Sequence, residues 1–195
     1  GPDGWIYSIH GDSVDAPDSS VADLTSPLRD SRRGTRQQEG YLIRTNPDGS
    51  QWELVCTGLR NPYGIDFNAA GDVFTWDADN EYDMATPWYR PTRIWQLFSG
   101  ADYGWRVTQG NWPPYFPDQA DSGSAILDIG KGSPTSVLFG TGLNAPEKYR
   151  RALYVLDWAY GRVLAVHMAA RGGTYRSQPE LFLQGRPLNV TDIAC

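Results

Sequence analysis

The 195-residue sequence predicts an all-β fold, because short apolar runs bounded by turn residues recur along the chain. Branched and aromatic residues fill these runs, and Gly, Pro, Asn and Asp separate them. Long segments with apolar residues at helical spacing do not occur. Glycine (21 residues) and proline (14 residues) are abundant, which indicates frequent turns.

Repeated units refine this prediction. Three turn-then-strand units share one design, with strands predicted at residues 5–9, 72–76 and 152–156. A second match pairs residues 40–44 with residues 161–165. Such repeats of short strands, without helices between them, are typical of β-propeller blades. The sequence therefore predicts about three to four blades of an incomplete β-propeller.

The spacing of the units predicts a single partial propeller domain over residues 1–195 with two insertions. The aromatic residues of the three units are further apart than in a simple blade of about 40 to 50 residues. We expect insertion loops over about 11–38 and 77–132 to account for the difference, and long loops often carry function. The chain begins without Met, and residues 191–194, directly before its last residue, are predicted to form a strand. We therefore expect it to be a fragment of a longer protein.

Charge and composition argue against several classes of partner. The net charge of −6 and the sequence pI of about 4.8 disfavour nucleic acid, whose binding requires a surplus of Lys and Arg. No apolar stretch approaches the roughly 18 residues of a membrane span. Cys56 and Cys195 have no C-x-x-C spacing, so neither a zinc ribbon nor a covalent haem attachment is predicted. Two buried thiols are favoured over a disulfide.

The segment 58–64 is the first candidate site, because it places a cation and an amide side by side between two predicted strands. Pro62 restricts Asn61 to extended backbone conformations, and Gly64 permits close approach of another group. Arg60 has the planar donor geometry that binds a carboxylate or carbonyl. The segment predicts a ligand clamp, and the alternative is an Arg–Asn pair that binds carbonyl groups of the blades.

The segment 77–83 is the second candidate site. Its carboxylate and amide oxygens, on Asp77, Asp79, Asn80 and Glu81, are of the kind that calcium prefers. The spacing does not match an EF-hand loop. A calcium site and a solvated acidic loop are both consistent with these residues.

Aromatic and histidine residues give weaker indications. Trp105, in the run Tyr103-Gly104-Trp105, has a ring that could stack on a sugar or an aromatic cofactor, although burial between blades is the commoner use. No G-x-S-x-G nucleophile motif occurs. His10 and His167 lie in or beside predicted strands, which favours a structural role for both.

Several segments in order resemble the quinoprotein glucose and sorbosone dehydrogenase family. The specific part is Gly58-Leu59-Arg60-Asn61-Pro62-Tyr63-Gly64, followed about 40 residues later by Ala101-Asp102-Tyr103-Gly104-Trp105. Nearly the whole chain shares the resemblance. The segment 152–161 is similar in particular to the planctomycete-type proteins, in which such a propeller precedes helical repeats and a c-type cytochrome module.

The resemblance implies a six-bladed propeller that oxidises a sugar or alcohol with pyrroloquinoline quinone (PQQ) and calcium. It implies that Arg60 and Asn61 contact cofactor and substrate, that Trp105 and Arg186 contribute to cofactor binding, and that residues 77–81 bind calcium. The family's histidine base would lie upstream of Gly1. A periplasmic or extracellular location and a cytochrome domain in the full-length chain are further implications. The alternative function is a non-catalytic propeller that binds glycans or a protein.

Overall fold

The computed structural model describes residues 1–14, 40–105 and 123–194 of the chain. Within these residues, eleven strands form three sheets, and all neighbouring strands in a sheet are antiparallel. In chain order the strands are β1 (Ile6–His10), β2 (Gly40–Thr45), β3 (Trp52–Leu59), β4 (Asp66–Phe67), β5 (Val73–Asp77), β6 (Thr92–Leu97), β7 (Leu127–Gly130), β8 (Pro134–Phe139), β9 (Leu153–Asp157), β10 (Arg162–Arg171) and β11 (Thr174–Gln184). A short helix, α1, spans Glu147–Arg150.

The three sheets are successive propeller blades. Blade 1 contains β1 to β3, blade 2 contains β4 to β7, and blade 3 contains β8 to β11. In each blade the strands lie side by side in chain order. Four antiparallel strands in this order are the repeating unit of a β-propeller. The predicted all-β partial propeller is therefore confirmed, with three blades in the part of the chain that the structure describes.

The core lies between the blades, and strand β5 shows why. All five residues of β5 are buried. Because successive side chains of a strand point to opposite faces, Val73 packs into the apolar cluster shared with blade 1, whereas Phe74 and Trp76 pack into the cluster shared with blade 3. By the same alternation of side chains, Asp77 lies on the same face of β5 as Val73. The strand pattern thus directs this carboxylate towards blade 1.

Two predictions about individual segments differ from the structure. The range 77–132, predicted as an insertion, contains β6 and β7 of blade 2. Its Trp and Pro residues suggested loops, yet β6 pairs with both β5 and β7, and all six of its residues are buried. A strand predicted at residues 191–194 is not formed, and Val190 and Ile193 instead pack against the apolar cluster of blade 3. The predicted insertion 11–38 lies largely outside the described residues.

The hairpin of β10 and β11 extends beyond its blade. Residues 162–166 of β10 pair with β9, whereas residues 167–171 pair with β11 alone. This hairpin arm reaches blade 2, where the Ser177 hydroxyl donates to the Ile126 carbonyl at 2.7 Å. The Tyr175 ring lies 5.6 Å from that of Phe74. The arm therefore ties blade 3 to blade 2 at a distance from the candidate site.

Two sequence predictions concern features outside the core. Among the helices of the described residues, none is long and apolar enough to cross a membrane. Cys56 is fully buried in the cluster between blades 1 and 2. Cys195 lies outside the described residues, so the predicted state of the two thiols stays a prediction.

Candidate functional site

The two most specific sequence segments lie against each other in the structure. Residues 101–105 run parallel to the end of β3, where the Tyr103 N–H donates to the Thr57 carbonyl at 2.9 Å and the Trp105 N–H donates to the Gly58 carbonyl at 2.8 Å. Gly58 has a φ of +77°. An added Cβ would lie only 2.7 Å from the Tyr103 nitrogen. Glycine is therefore required for this approach, which brings Trp105 beside Arg60.

Arg60 is surrounded by side chains from three segments. Its guanidinium carbon lies 5.4 Å from the centre of the Trp105 ring, within range of a cation–π interaction. Its Nη2 donates to Glu81 Oε2 at 2.8 Å. The Trp105 indole N–H donates to Asp12 Oδ2 at 2.8 Å, while the Asp12 N–H donates to the Arg60 carbonyl at 2.8 Å. Trp105 and Arg60 are thus linked through Asp12.

The loop that carries Arg60 and Asn61 is held by one buried carboxylate. The Arg60 N–H donates to Asp77 Oδ2 at 2.9 Å, and the Asn61 N–H donates to Asp77 Oδ1 at 2.8 Å. Asp77 also accepts hydrogen bonds from the Ala78 N–H at 2.9 Å and from the Trp95 indole at 3.4 Å. Both carboxylate oxygens are therefore used by N–H donors of the protein.

Burial dominates the electrostatics of Asp77. It raises the pKa of the Asp77 carboxyl, and the hydrogen bonds from Arg60 and Asn61 oppose this shift because they stabilise the charged form. Arg93, which pairs with Asp77 across β5 and β6, also opposes the shift through its charge. The same burial lowers the pKa of Arg93. The site therefore contains a buried pair of opposite charge beneath an accessible loop.

The acidic segment does not form one cluster. Asp79 is buried and accepts a hydrogen bond from the Tyr89 hydroxyl, and burial raises the pKa of its carboxyl. Asn80 is buried as well, whereas the Glu81 side chain is 56 % exposed and pairs with Arg60. Across residues 1–14, 40–105 and 123–194, no three His, Cys, Asp or Glu side chains are grouped so that they could hold a metal ion. The carboxylates of residues 77–83 are therefore not grouped as metal ligands.

Arg186 and the two histidines lie apart from this arrangement. Arg186 follows β11 and is exposed, and none of the contacts described for Arg60 or Trp105 involves it. The His10 ring stacks on Tyr41 at 4.8 Å. His167 Nε2 lies 2.7 Å from Glu180 Oε2 on the neighbouring strand. Both histidines make local structural contacts, as the sequence favoured.

Sequence reasoning missed two residues of the site, Asp12 and Gly11. Asp12 links Arg60 to Trp105, and a Cβ on Gly11 would lie 2.7 Å from the Asn61 side-chain oxygen. Gly11 therefore makes room for Asn61. Both residues follow the end of β1, and a Gly-Asp pair at a strand end is the only sequence signal that could have drawn attention to them.

The described blades form a partial β-propeller, and solved sugar dehydrogenases have a similar fold. The PQQ-bound form of the aldose sugar dehydrogenase from Streptomyces coelicolor is similar with a TM-score of 0.63 and 15 % identity, and the match covers 98 % of this chain and 49 % of that one. The apo form of the soluble aldose sugar dehydrogenase from Escherichia coli is similar with a TM-score of 0.62 and 16 % identity, covering 97 % and 54 %.

These similarities establish the fold, and this chain spans about half the length of the proteins it matches. No protein-family model matches the sequence, and no curated protein matches it. Identity of 15–16 % does not extend to activity.

The residues around Arg60 fit a planar anionic group better than a metal ion. Arg60 Nε is buried and has no hydrogen-bond partner among the described residues. Trp105 is buried, with 5 % exposure, in the apolar cluster between blades 1 and 2, so its ring supports the Arg60 guanidinium from the core side. Asn61, the neighbour of Arg60 in sequence, is exposed, and its amide both donates and accepts. The arginine and this amide suit an anionic ligand such as PQQ.

Proposed function

We propose that this chain is part of a PQQ-dependent dehydrogenase that oxidises a sugar or alcohol and resembles the planctomycete-type multidomain proteins. One observation carries the proposal: Arg60 and Asn61 are presented on a loop that Asp77 fixes and Trp105 flanks. The similarity in fold to a PQQ-bound aldose sugar dehydrogenase supports the choice of cofactor. The proposed location is periplasmic or extracellular, and the proposed electron acceptor is a c-type cytochrome domain of the full-length chain.

Arg60 and Asn61 have different roles in this proposal. The Arg60 guanidinium binds a carboxylate or carbonyl of the cofactor by charge-assisted hydrogen bonds, with Glu81 limiting its rotation. The Asn61 amide orients the substrate hydroxyl. PQQ, when bound, supplies the chemistry of accepting the hydride from the substrate carbon. Arg60 cannot accept the hydroxyl proton, because a guanidinium has no acceptor at neutral pH. A residue other than Arg60 therefore acts as the base that takes that proton.

A non-catalytic binding module is the second candidate, and two observations favour it. Glu81 pairs with Arg60, so its negative charge offsets part of the positive charge that Arg60 would otherwise present to an anionic ligand. Large aromatic side chains are exposed on the loops that follow β3 and β5, with Tyr63 at 65 %, Tyr82 at 92 % and Trp88 at 55 %. Exposed apolar surface of this kind is typical of interaction sites.

The test is a titration of the full-length protein with PQQ, followed by quenching of tryptophan fluorescence. We expect Arg60→Ala to weaken binding at least about tenfold, since a hydrogen bond to a charged group contributes about 1.5–3 kcal/mol. Arg44→Ala is the matched control, because Arg44 also pairs with carboxylates, those of Asp3 and Glu53, and lies 4.7 Å from the Trp5 ring. Its affinity should equal that of the wild type.

Turnover is measured in parallel with aldoses, simple alcohols and a dye that accepts electrons. Equal loss of PQQ affinity in the Arg60 and Arg44 variants would contradict the proposed site. A wild-type protein that binds glycans but neither binds PQQ nor reduces the dye would support the binding module.

A further inference from the structure

Blades 2 and 3 each have a buried aspartate at the same place. Asp77 is the last residue of β5 and Asp157 is the last residue of β9, and both are 0 % exposed. Each one pairs across the sheet with an arginine of the next strand, Arg93 or Arg162. On the same strand face as these carboxylates, Val73 packs in the cluster shared with blade 1, and Leu153 and Val155 pack in the cluster shared with blade 2. The two carboxylates therefore occupy equivalent positions.

Both carboxylates accept an N–H from the residue that precedes a proline. Asn61 precedes Pro62 and donates to Asp77 at 2.8 Å, while Ser133 precedes Pro134 and donates to Asp157 at 3.0 Å. These loops lead into the inner strands β4 and β8. Because proline has no N–H, the amide of the residue before it is the last backbone donor ahead of the ring in each loop.

The two blades differ in how the carboxylate is shared. The Asp157 carboxylate accepts a hydrogen bond from Arg162 Nε at 2.8 Å. One of its donors therefore comes from β10, the strand that pairs with its own strand β9. In blade 2, Arg93 Nε donates to the Pro91 carbonyl instead, at 2.9 Å. Asp77 accepts two loop amides, including that of Arg60, and its other donors are the Ala78 N–H and the Trp95 indole. The loop of blade 2 carries an arginine and an asparagine, whereas that of blade 3 carries Gly132 and Ser133.

We propose that Asp77 is a positioning residue of the Arg60 site and not a metal ligand: its carboxylate fixes the backbone of Arg60 and Asn61 so that the guanidinium lies against Glu81 and Trp105. A cation at Asp77 would have to displace N–H donors from both oxygens. Unpairing buried N–H groups is unfavourable. This inference does not depend on which ligand the site binds.

The experiment compares Asp77→Asn with Asp157→Asn in the full-length protein. Asparagine keeps the side-chain shape but replaces one acceptor oxygen by an N–H₂ donor that faces the loop amides. Hydrogen exchange followed by mass spectrometry reports on the loop backbone, and ¹⁵N-arginine NMR reports on the Arg60 Nε–H, with the signal assigned through Arg60→Lys. Measurements are made where both variants remain folded.

We expect Asp77→Asn to speed exchange in residues 58–64 at least about tenfold and to move the Arg60 Nε–H signal. Asp157→Asn should speed exchange only around residues 132–136 and leave the Arg60 signal in place. An unmoved Arg60 signal in folded Asp77→Asn, or an equal movement in Asp157→Asn, would overturn the inference. If Asp77→Asn does not fold, the wild type still decides: amides of Arg60 and Asn61 that exchange as fast as those of an open turn would refute it.

Discussion

Replacement of Tyr175 by phenylalanine tests how blade 3 is joined to blade 2. Tyr175 lies on the hairpin arm formed by the outer parts of β10 and β11. Its hydroxyl donates a hydrogen bond to the Asp72 carboxylate and accepts one from the Asn68 amide at 2.7 Å. Asp72 and Asn68 both lie in the turn between β4 and β5. Tyr175→Phe removes these two hydrogen bonds and keeps the ring against Phe74.

The expected loss follows from the two bonds. A hydrogen bond to a charged group contributes about 1.5–3 kcal/mol, and a neutral one contributes about 0.5–1.5 kcal/mol. Asp72 and Asn68 are only partly buried, so water replaces part of the lost bonding. We therefore expect the free energy of unfolding to fall by about 1–2 kcal/mol.

Urea unfolding at neutral pH measures this change, with Tyr82→Phe as the control because Tyr82 is 92 % exposed. A double-mutant cycle with Asp72→Asn should give a coupling energy of about 1 kcal/mol. Burial raises the pKa of Tyr175, so the proton is held more tightly in the folded state. The stabilisation is therefore complete below the ordinary tyrosine pKa near 10 and declines as the pH rises above it. A decrease in the free energy of unfolding of less than about 0.3 kcal/mol for Tyr175→Phe, or strictly additive effects of Tyr175→Phe and Asp72→Asn, would refute the contact.

Two further predictions concern the candidate site. Gly58→Ala should destabilise the protein by at least about 3 kcal/mol, because it adds a Cβ 2.5 Å from the Gly104 nitrogen at a positive φ, whereas Gly49→Ala, with φ +72° and open space, should cost only about 1 kcal/mol. Thermal unfolding of both variants checks this, and equal losses would contradict the packing of residues 101–105 on β3. Asp79→Asn should leave the response of the melting temperature to added calcium or chelator unchanged, and a response lost in this variant would restore the predicted calcium site.

The sequence was a good guide to the fold because strand formation here is local. Short apolar runs between turn residues, as in β5 and β9, predict buried strands, and each of the two strands begins and ends one residue later than predicted. The range 77–132 was harder to interpret. Its two strands are separated by long segments rich in Trp, Tyr and Pro, and pairing of β6 with both neighbours overrides that local composition.

The role of Asp77 could not be predicted from its neighbours in the sequence. An aspartate that begins an acidic run suggests a metal ligand or a solvated loop, and its hydrogen-bond donors, Arg60 and Asn61, lie 17 and 16 residues away. The alternation in β5 holds the only usable signal. Asp77 shares the face of Val73, so its carboxylate must be buried against blade 1, where exposed calcium ligands are not expected.

The short inner strand explains why such a side chain is needed. Strand β4 pairs with β5 through only two residues, Asp66 and Phe67, so the sheet itself holds the preceding loop weakly. Side chains provide further hydrogen bonds at this point. The Thr75 hydroxyl donates to the Gly64 carbonyl at 2.7 Å, and Asp66 Oδ2 accepts a hydrogen bond from the Phe139 N–H of blade 3 at 2.6 Å. Together with Asp77, these bonds fix the backbone without using the side chains of the loop. Arg60 can therefore direct its guanidinium to Glu81 and Trp105 while its backbone N–H holds the loop on Asp77.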